Sequence, residues 1–170
     1  MNTSLVLTVI GDDKPGLVES LASVIADNNG NWLESSMSQL AGKFAGILRV
    51  SVSKDNADAL VQALEGLSDE LKLVIEQVDS AADLETPQIV ELSLVGNDRP
   101  GIVREISHAL AVLAVNVEQL STECEPAPMS GDLLFRTRAT LKVPQELQLD
   151  DLQTELERLA DDLIVEIKTQ

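Results

Sequence analysis

An eight-residue segment occurs twice in this chain of 170 residues, once in each half. Gly11–Val18 reads Gly-Asp-Asp-Lys-Pro-Gly-Leu-Val, and Gly96–Val103 reads Gly-Asn-Asp-Arg-Pro-Gly-Ile-Val. Five of the eight positions are identical and the other three are conservative exchanges. A repeat of this kind indicates two copies of one structural unit. The chain is therefore predicted to contain two small modules rather than one larger fold.

A second match extends the repeat toward the end of each half. Leu60–Ile75 matches Leu152–Ile167 at an offset larger by seven residues, so the second copy has an insertion. The segment 125–131 contains two prolines and a glycine and is predicted to be the inserted loop. The predicted boundaries are a first module at 1–79, a polar linker at 80–87 and a second module at 88–170.

Hydrophobic periodicity predicts the order β-α-β-β-α-β for each copy. Apolar residues return at helical spacing after each Pro-Gly, which puts the proline near the first turn of a helix. A hairpin is predicted around Ala41-Gly42, and the second helices are predicted from leucines 4, 7 and 11 residues after Leu60 and Leu152. The fold class is therefore α+β, with two ferredoxin-like βαββαβ modules whose antiparallel sheets carry their helices on one face.

The composition narrows the function classes. Only three residues are aromatic, and no apolar run approaches the roughly 20 residues of a membrane span. Cys124 is the single cysteine, so an intrachain disulfide cannot form, and the first residues do not resemble a secretory leader. A cytoplasmic protein is expected. The 29 acidic against 12 basic residues give a net charge of −17, which disfavours direct binding to nucleic acid.

The repeated turn is the main candidate site. Gly11 and Gly96 would permit a sharp bend or the close approach of a ligand. Free amides at the helix start would attract a carboxylate, while Asp13 or Asp98 would take an ammonium group. Asn31 and Asn116 open the next strand and could reach such a ligand only across an interface. The alternative is that the aspartates are ordinary helix caps.

The turn motif, between a strand and a helix and with an asparagine about fifteen residues on, resembles the ACT domain. Two such domains in a chain of this length resemble the glycine cleavage system transcriptional repressor family. The resemblance implies a ferredoxin-like fold that binds small amino acids where ACT units pair. The ligand contacts it implies are Asp13, Asn31, Asp98 and Asn116. With the rest of the repeated turn, the candidate ligand-binding residues are Gly11, Asp12, Asp13, Pro15, Gly16, Asn31, Gly96, Asn97, Asp98, Pro100, Gly101 and Asn116.

The same resemblance implies a non-catalytic repressor that responds to a small amino acid, with glycine favoured. Such a protein would contact a LysR-type DNA-binding activator instead of DNA, and it could form a homodimer. The alternative is a regulatory subunit of an amino-acid-metabolising enzyme. We expect no cofactor, no metal site and no membrane partner.

Other polar residues have simpler explanations. His108 is the single histidine and is predicted to lie on a helix surface, with no nucleophile suggested nearby. The pairs Asp150-Asp151 and Asp161-Asp162 are predicted to be solvated residues near helix ends. Arg136, Arg138 and Lys142 alternate along one strand, where they could dock an acidic partner or simply be exposed.

Overall fold

The computed structural model describes residues 1–78 and 86–170. The chain divides into two compact units, Met1–Ala82 and Asp83–Gln170. Residues 80–85 of the predicted linker lie outside the described residues.

Both units have the same six elements in the same order. The first contains β1 (Asn2–Asp12), α1 (Leu17–Asp27), β2 (Asn31–Leu40), β3 (Lys43–Ser53), α2 (Lys54–Glu65) and β4 (Lys72–Val78). The second contains β5 (Gln88–Asn97), α3 (Ile102–Val112), β6 (Asn116–Pro126), β7 (Leu133–Val143), α4 (Leu149–Glu157) and β8 (Ile164–Thr169). The predicted fold class is confirmed in both units.

Each unit has one four-stranded antiparallel sheet. The strand orders are β2-β3-β1-β4 and β6-β7-β5-β8, with the first strand of each unit at an inner position. The register is equivalent in the two sheets, since Gly11 pairs with Phe44 and Gly96 pairs with Phe135. The second strand, β2 or β6, is therefore an edge strand in each unit.

The core lies between the helices and one face of each sheet. Alternate residues of β1 point toward the helices, and Leu5, Leu7 and Val9 are fully buried there. Leu21 and Ile25 of α1 belong to the same cluster, one helical turn apart. The second unit has its own cluster of aliphatic residues around Phe135. On the other sheet face, the inner-strand residues Ser4, Val6, Glu91 and Ser93 are half-buried.

The helix termini differ in part from the predictions. Pro15 lies two residues before α1, whereas the sequence placed it near the first turn, because Gly16 occupies the N-cap position. At the other end, the amide of Gly30 donates to the carbonyl of Ile25 (2.8 Å) across Asn29, which has a positive φ of 60°. Ala114 occupies the same position after α3. The helix α3 thus ends in the same way as α1, although alanine is not a usual residue at this position.

Two other predictions need correction. The leucine stripe after Leu60 is only partly helical, because α2 ends at Glu65. Beyond it, amides donate to the carbonyl three residues earlier, as from Leu67 to Leu64 (3.0 Å). Leu71 is nevertheless buried at 2% exposure. The inserted loop begins later than predicted, because Glu125 and Pro126 still pair with β7.

Candidate functional site

The repeated segment connects the first strand to the first helix of each unit. In the first unit the connection is residues 13–16, after which α1 begins. Gly16 has φ 91° and Gly101 has φ 86°, in the left-handed region that favours glycine. The glycine of each Pro-Gly pair therefore meets a backbone requirement at the start of the helix.

Gly11 and Gly96 serve packing within each unit. A Cβ atom on Gly11 would lie 2.6 Å from the Glu70 carbonyl oxygen and 2.9 Å from Leu71 Cδ2. A Cβ atom on Gly96 would collide with Leu163 Cδ2. Protein atoms from the segment before the last strand fill this space. The bend itself comes later, so the two glycines do not supply the sharp turn proposed from the sequence.

Asp13 and Asp98 occupy equivalent, exposed positions at the start of the connection. The Asp13 amide donates to the Gly42 carbonyl (2.9 Å), and the Asp98 amide donates to the Leu133 carbonyl (2.9 Å). Neither carboxylate caps the following helix, because no side-chain cap hydrogen bond is present at α1 or α3. The helix-cap explanation is therefore wrong for both carboxylates.

An open cavity of about 240 Å³ lies beside the connection of the first unit. Asp13, Lys14 and Gly16 line one side, and the first turn of α1 and Phe44 line the other. The first amides of a helix have no acceptor within the helix and carry partial positive charge. The cavity thus combines two carboxylates, of Asp13 and Glu19, with the ammonium group of Lys14, helix-start amides and a small apolar wall. Groups of both charges are therefore available to a small zwitterion.

Ion pairs surround the first connection. Lys43 binds Asp12, and this hydrogen bond, together with the charge of Lys43, lowers the pKa of the Asp12 carboxyl below its usual range. Lys14 Nζ lies 3.7 Å from Glu70 Oε1. The Asp12 carboxylate is therefore paired with Lys43, whereas Asp13 lines the cavity.

The second connection is held by different contacts. The Asn97 amide donates to Asp162 Oδ2 (2.7 Å), so Asp162 has a specific partner and is not merely the solvated residue expected. Arg99 binds Glu105, and this hydrogen bond raises the pKa of Arg99 and lowers that of Glu105. The Ile102 amide also donates to the Arg99 carbonyl (3.3 Å). The helix-start amides are thus less available here than in the first unit.

The two asparagines lie far from the connections of their own units. Asn31 pairs with Ser51, which pairs with Ser4 near the start of β1. Asp12 lies eight positions after Ser4, roughly 25 Å along the extended strand. Asn116 pairs with Lys142, similarly far from Asp98. Within one unit the structure therefore does not bring an asparagine and an aspartate to the same small ligand.

Sequence reasoning missed the residues that neighbour the connections. Phe44 and Phe135 stand at equivalent positions of the repeat, which was a usable signal since only three aromatic residues exist. Cys124 lies on the exposed edge strand β6. Loss of hydration, then the charge of Asp98 and a hydrogen bond to it, raise the pKa of the Cys124 thiol. Nothing in the sequence indicated this proximity.

The remaining candidate from the sequence is the single histidine. His108 is exposed on α3, in a groove between α3 and α4 beside Glu105 and Arg158. Residues 1–78 and 86–170 contain no group of three or more potential metal ligands. None of the helices there is long and apolar enough to cross a membrane.

Comparison with known proteins identifies the family. The model of the ACT domain matches residues 3–78. A UPF0237 protein of Methanocaldococcus jannaschii is 33% identical over 79 residues, covering 44% of this chain and 88% of that protein. This chain belongs to the ACT-domain family. A UPF0237 protein of Methanococcus maripaludis is 35% identical over 74 residues, 42% of this ACT protein and 82% of the relative.

Solved structures match this ACT protein over its full length. An unknown protein from Galdieria sulphuraria has a TM-score of 0.87 with 25% identity, covering 100% of this chain and 99% of that one. A protein provisionally named a glycine cleavage system transcriptional repressor has a TM-score of 0.72 with 16% identity and the same coverage. The second likeness shows the fold. The chain is a tandem ACT-domain protein.

Proposed function

We propose that this protein is a non-catalytic, cytoplasmic regulator that responds to glycine or another small amino acid. It acts as a repressor of glycine cleavage by binding a LysR-type activator, without contacting DNA itself. Residues 1–79 and 88–170 are the two sensing modules, and 80–87 connect them.

The cavity beside Asp13 carries this proposal. The Asp13 carboxylate caps no helix, so this carboxylate can pair with the ammonium group of a ligand. The carboxylate of the same small molecule would lie against the first amides of α1, where helix termini attract anions. Glycine satisfies both contacts without requiring a side-chain pocket.

Action through a protein partner is supported by charge and by family. A surface with a net charge of −17 repels phosphate backbones and favours a basic protein surface. Arg136, the first of the three strand cations, is paired with Glu125, which weakens the idea of a free basic face. A protein of similar fold is provisionally named a glycine cleavage system transcriptional repressor, which supports glycine cleavage as the regulated process.

A second copy of the chain is proposed to complete the site. Asn31 lies too far from Asp13 in its own unit to share a small ligand with it. In a homodimer, Asn31 or Asn116 of one copy would supply an amide to the ligand held by the other. Light scattering with and without glycine measures this directly, and a monomer under both conditions contradicts it.

Thermal denaturation with each of the twenty amino acids tests effector binding. A ligand at a hundredfold excess over its Kd stabilises the folded protein by roughly 2.7 kcal/mol. We expect Asp13→Asn to remove the glycine-induced rise in Tm while leaving the Tm of the free protein nearly unchanged. Asp69→Asn, an exposed substitution in the turn after α2, is the matched control. The absence of a shift with any amino acid would falsify the sensing role.

Affinity purification from cells identifies the partner class. Recovery of a DNA-binding activator supports the repressor, whereas recovery of an amino-acid-metabolising enzyme supports the alternative of a regulatory subunit. Both outcomes are compatible with effector binding, so the result of the purification is independent of the result of thermal denaturation.

A further inference from the structure

The sheet face of the first unit that lies opposite the helices carries exposed aliphatic side chains. Ile47 of β3 and Val74 of β4 both pair with Thr8 of β1, so the three residues form one row across the sheet. Ile10 follows Thr8 by two residues and therefore lies on the same face. Ile47 is 55% exposed, Val74 60% and Ile10 43%. We call Ile10, Ile47 and Val74 the apolar patch.

The second unit carries charged side chains at the equivalent place. In the matching row of its sheet, Arg138 and Glu166 both pair with Ser93. An arginine and a glutamate thus stand where the first unit has isoleucine and valine. The fold therefore does not require aliphatic side chains on this face. An exposed apolar patch is a common mark of an interaction surface.

Two opposite charges lie at the two ends of the apolar patch on β4. Lys72 precedes Val74 by two residues and Glu76 follows it by two, so all three lie on one face of this edge strand. Both charged residues are exposed, and neither has an ion-pair partner within residues 1–78 and 86–170. The two residues are about 14 Å apart along the strand, too far to pair with each other.

A second copy of the same face matches these charges when the two sheets pack with their strands antiparallel. The two-fold axis then lies between the sheets, perpendicular to the strands and over the row that contains Val74. It places Lys72 of each copy opposite Glu76 of the other, and it places the central row opposite itself. Such a contact is isologous, the commonest arrangement of homodimers. Long side chains can bridge the roughly 10 Å between packed sheets.

The size of this face sets the strength of the contact. Four strands about 4.8 Å apart, over the seven residue pairs of β1 and β4, cover roughly 19 by 24 Å. This flat area of roughly 450 Å² in each copy is at the low end of specific interfaces. The net charge of −17 on each copy also opposes association. The dimer is therefore expected to be weak and to dissociate on dilution.

We propose that the open sheet face of the first unit binds the same face of a second copy, with the strands antiparallel. The apolar patches of the two copies form the centre of the contact, and two pairs of Lys72 with Glu76 form its edge. No ligand enters this contact, so it is independent of the proposed sensing function.

Sedimentation velocity of the full chain without added amino acid, from about 1 to 200 µM, tests the proposal. We expect a monomer–dimer equilibrium. Glu76→Lys should raise its Kd at least about tenfold, because two ammonium groups then lie opposite each other at each edge contact. This variant reduces the magnitude of the net charge, so general repulsion alone would predict tighter association. The double variant Lys72→Glu/Glu76→Lys keeps the net charge and should restore the wild-type Kd.

Ile47→Arg tests the centre of the contact. It copies the residue type of the second unit at an exposed position, and it should abolish the dimer without lowering the Tm. Val112→Arg, an equally charged change at an exposed position of α3, is the matched control and should leave the Kd unchanged.

A wild-type chain that stays monomeric at the highest concentration overturns the proposal. A dimer whose Kd is unchanged by Glu76→Lys and Ile47→Arg overturns it too, since another surface then forms the contact. Failure of the double charge reversal to restore the dimer overturns the antiparallel arrangement. A dimer that meets all three expectations but binds no amino acid contradicts only the sensing function.

Discussion

The backbone of Ala114 shows how one residue ends a helix at an energetic cost. It has φ 56°, and the following amide, of Val115, donates to the Leu110 carbonyl (2.9 Å) in the same pattern as Gly30 and Ile25. A left-handed conformation costs a non-glycine residue roughly 1–2 kcal/mol. Asparagine, at position 29 of the first unit, adopts it more readily than alanine.

Ala114→Gly is therefore expected to stabilise the protein. Relief of the left-handed strain outweighs the entropy lost by glycine, for a net gain of about 0.5–1 kcal/mol. Urea denaturation measures the change as a higher midpoint with an unchanged slope. Ala111→Gly, an exposed position within α3, is the control and should lower the free energy of unfolding by a similar amount. A loss of stability in Ala114→Gly would contradict this explanation.

The Arg99–Glu105 pair predicts a pH effect. The hydrogen bond from Arg99 lowers the pKa of Glu105 in the folded state below its unfolded value. The resulting stabilisation is present above the unfolded pKa and is lost as the pH falls through the folded pKa. The Tm difference between wild type and Glu105→Gln should be largest above about pH 5 and should vanish at lower pH. Glu118→Gln, the same change at an exposed position of β6, is the matched control.

At the scale of elements, the last strand of each unit is positioned by a leucine that packs against a glycine of the first strand. Leu71 precedes β4 and meets Gly11, and Leu163 precedes β8 and meets Gly96. The sequence pattern counted both leucines in the apolar stripe of a helix, and Leu163 also as the first residue of the last strand, whereas both lie between the helix and the strand. The helical spacing of apolar side chains continues beyond the last residue of the helix into a turn. Only the backbone hydrogen bonds show where the helix ends.

A double-mutant cycle tests this packing. Gly96→Ala forces the new methyl group against Leu163 and should cost about 1–3 kcal/mol. Leu163→Ala leaves a cavity and should cost roughly 2–4 kcal/mol. In the double variant the alanine methyl occupies part of that cavity, so the combined loss should be smaller than the sum. Strict additivity, measured by urea denaturation, would mean that the two residues do not meet.

At the scale of the whole molecule, the duplication produced two units with separate cores. The repeat predicted their common topology, the hairpin at Ala41-Gly42 and the last strands, because these depend on local periodicity and turn residues. The contacts of Asp98 with Cys124 and of Asn97 with Asp162 could not be predicted, because they join segments distant in sequence. Ile47 and Arg138 could not be recognised as equivalent positions before the register was known.

Each unit is expected to fold independently. The buried clusters share no residue, and each contains at least eleven buried apolar side chains. Segments 1–82 and 83–170, expressed separately, should each unfold in one cooperative transition in urea, monitored by circular dichroism. A segment that shows no transition would indicate that its core requires the other half.

The bond between Asn97 and Asp162 makes one amide a reporter of the distant chain end. Asp162 directly precedes Leu163 and β8. Fraying of β8 would therefore break the hydrogen bond between the Asn97 amide and the Asp162 carboxylate. Deuterium should therefore replace that proton at the rate at which the last strand detaches. A fusion at Gln170 that pulls on β8 would loosen the second turn while leaving the first untouched.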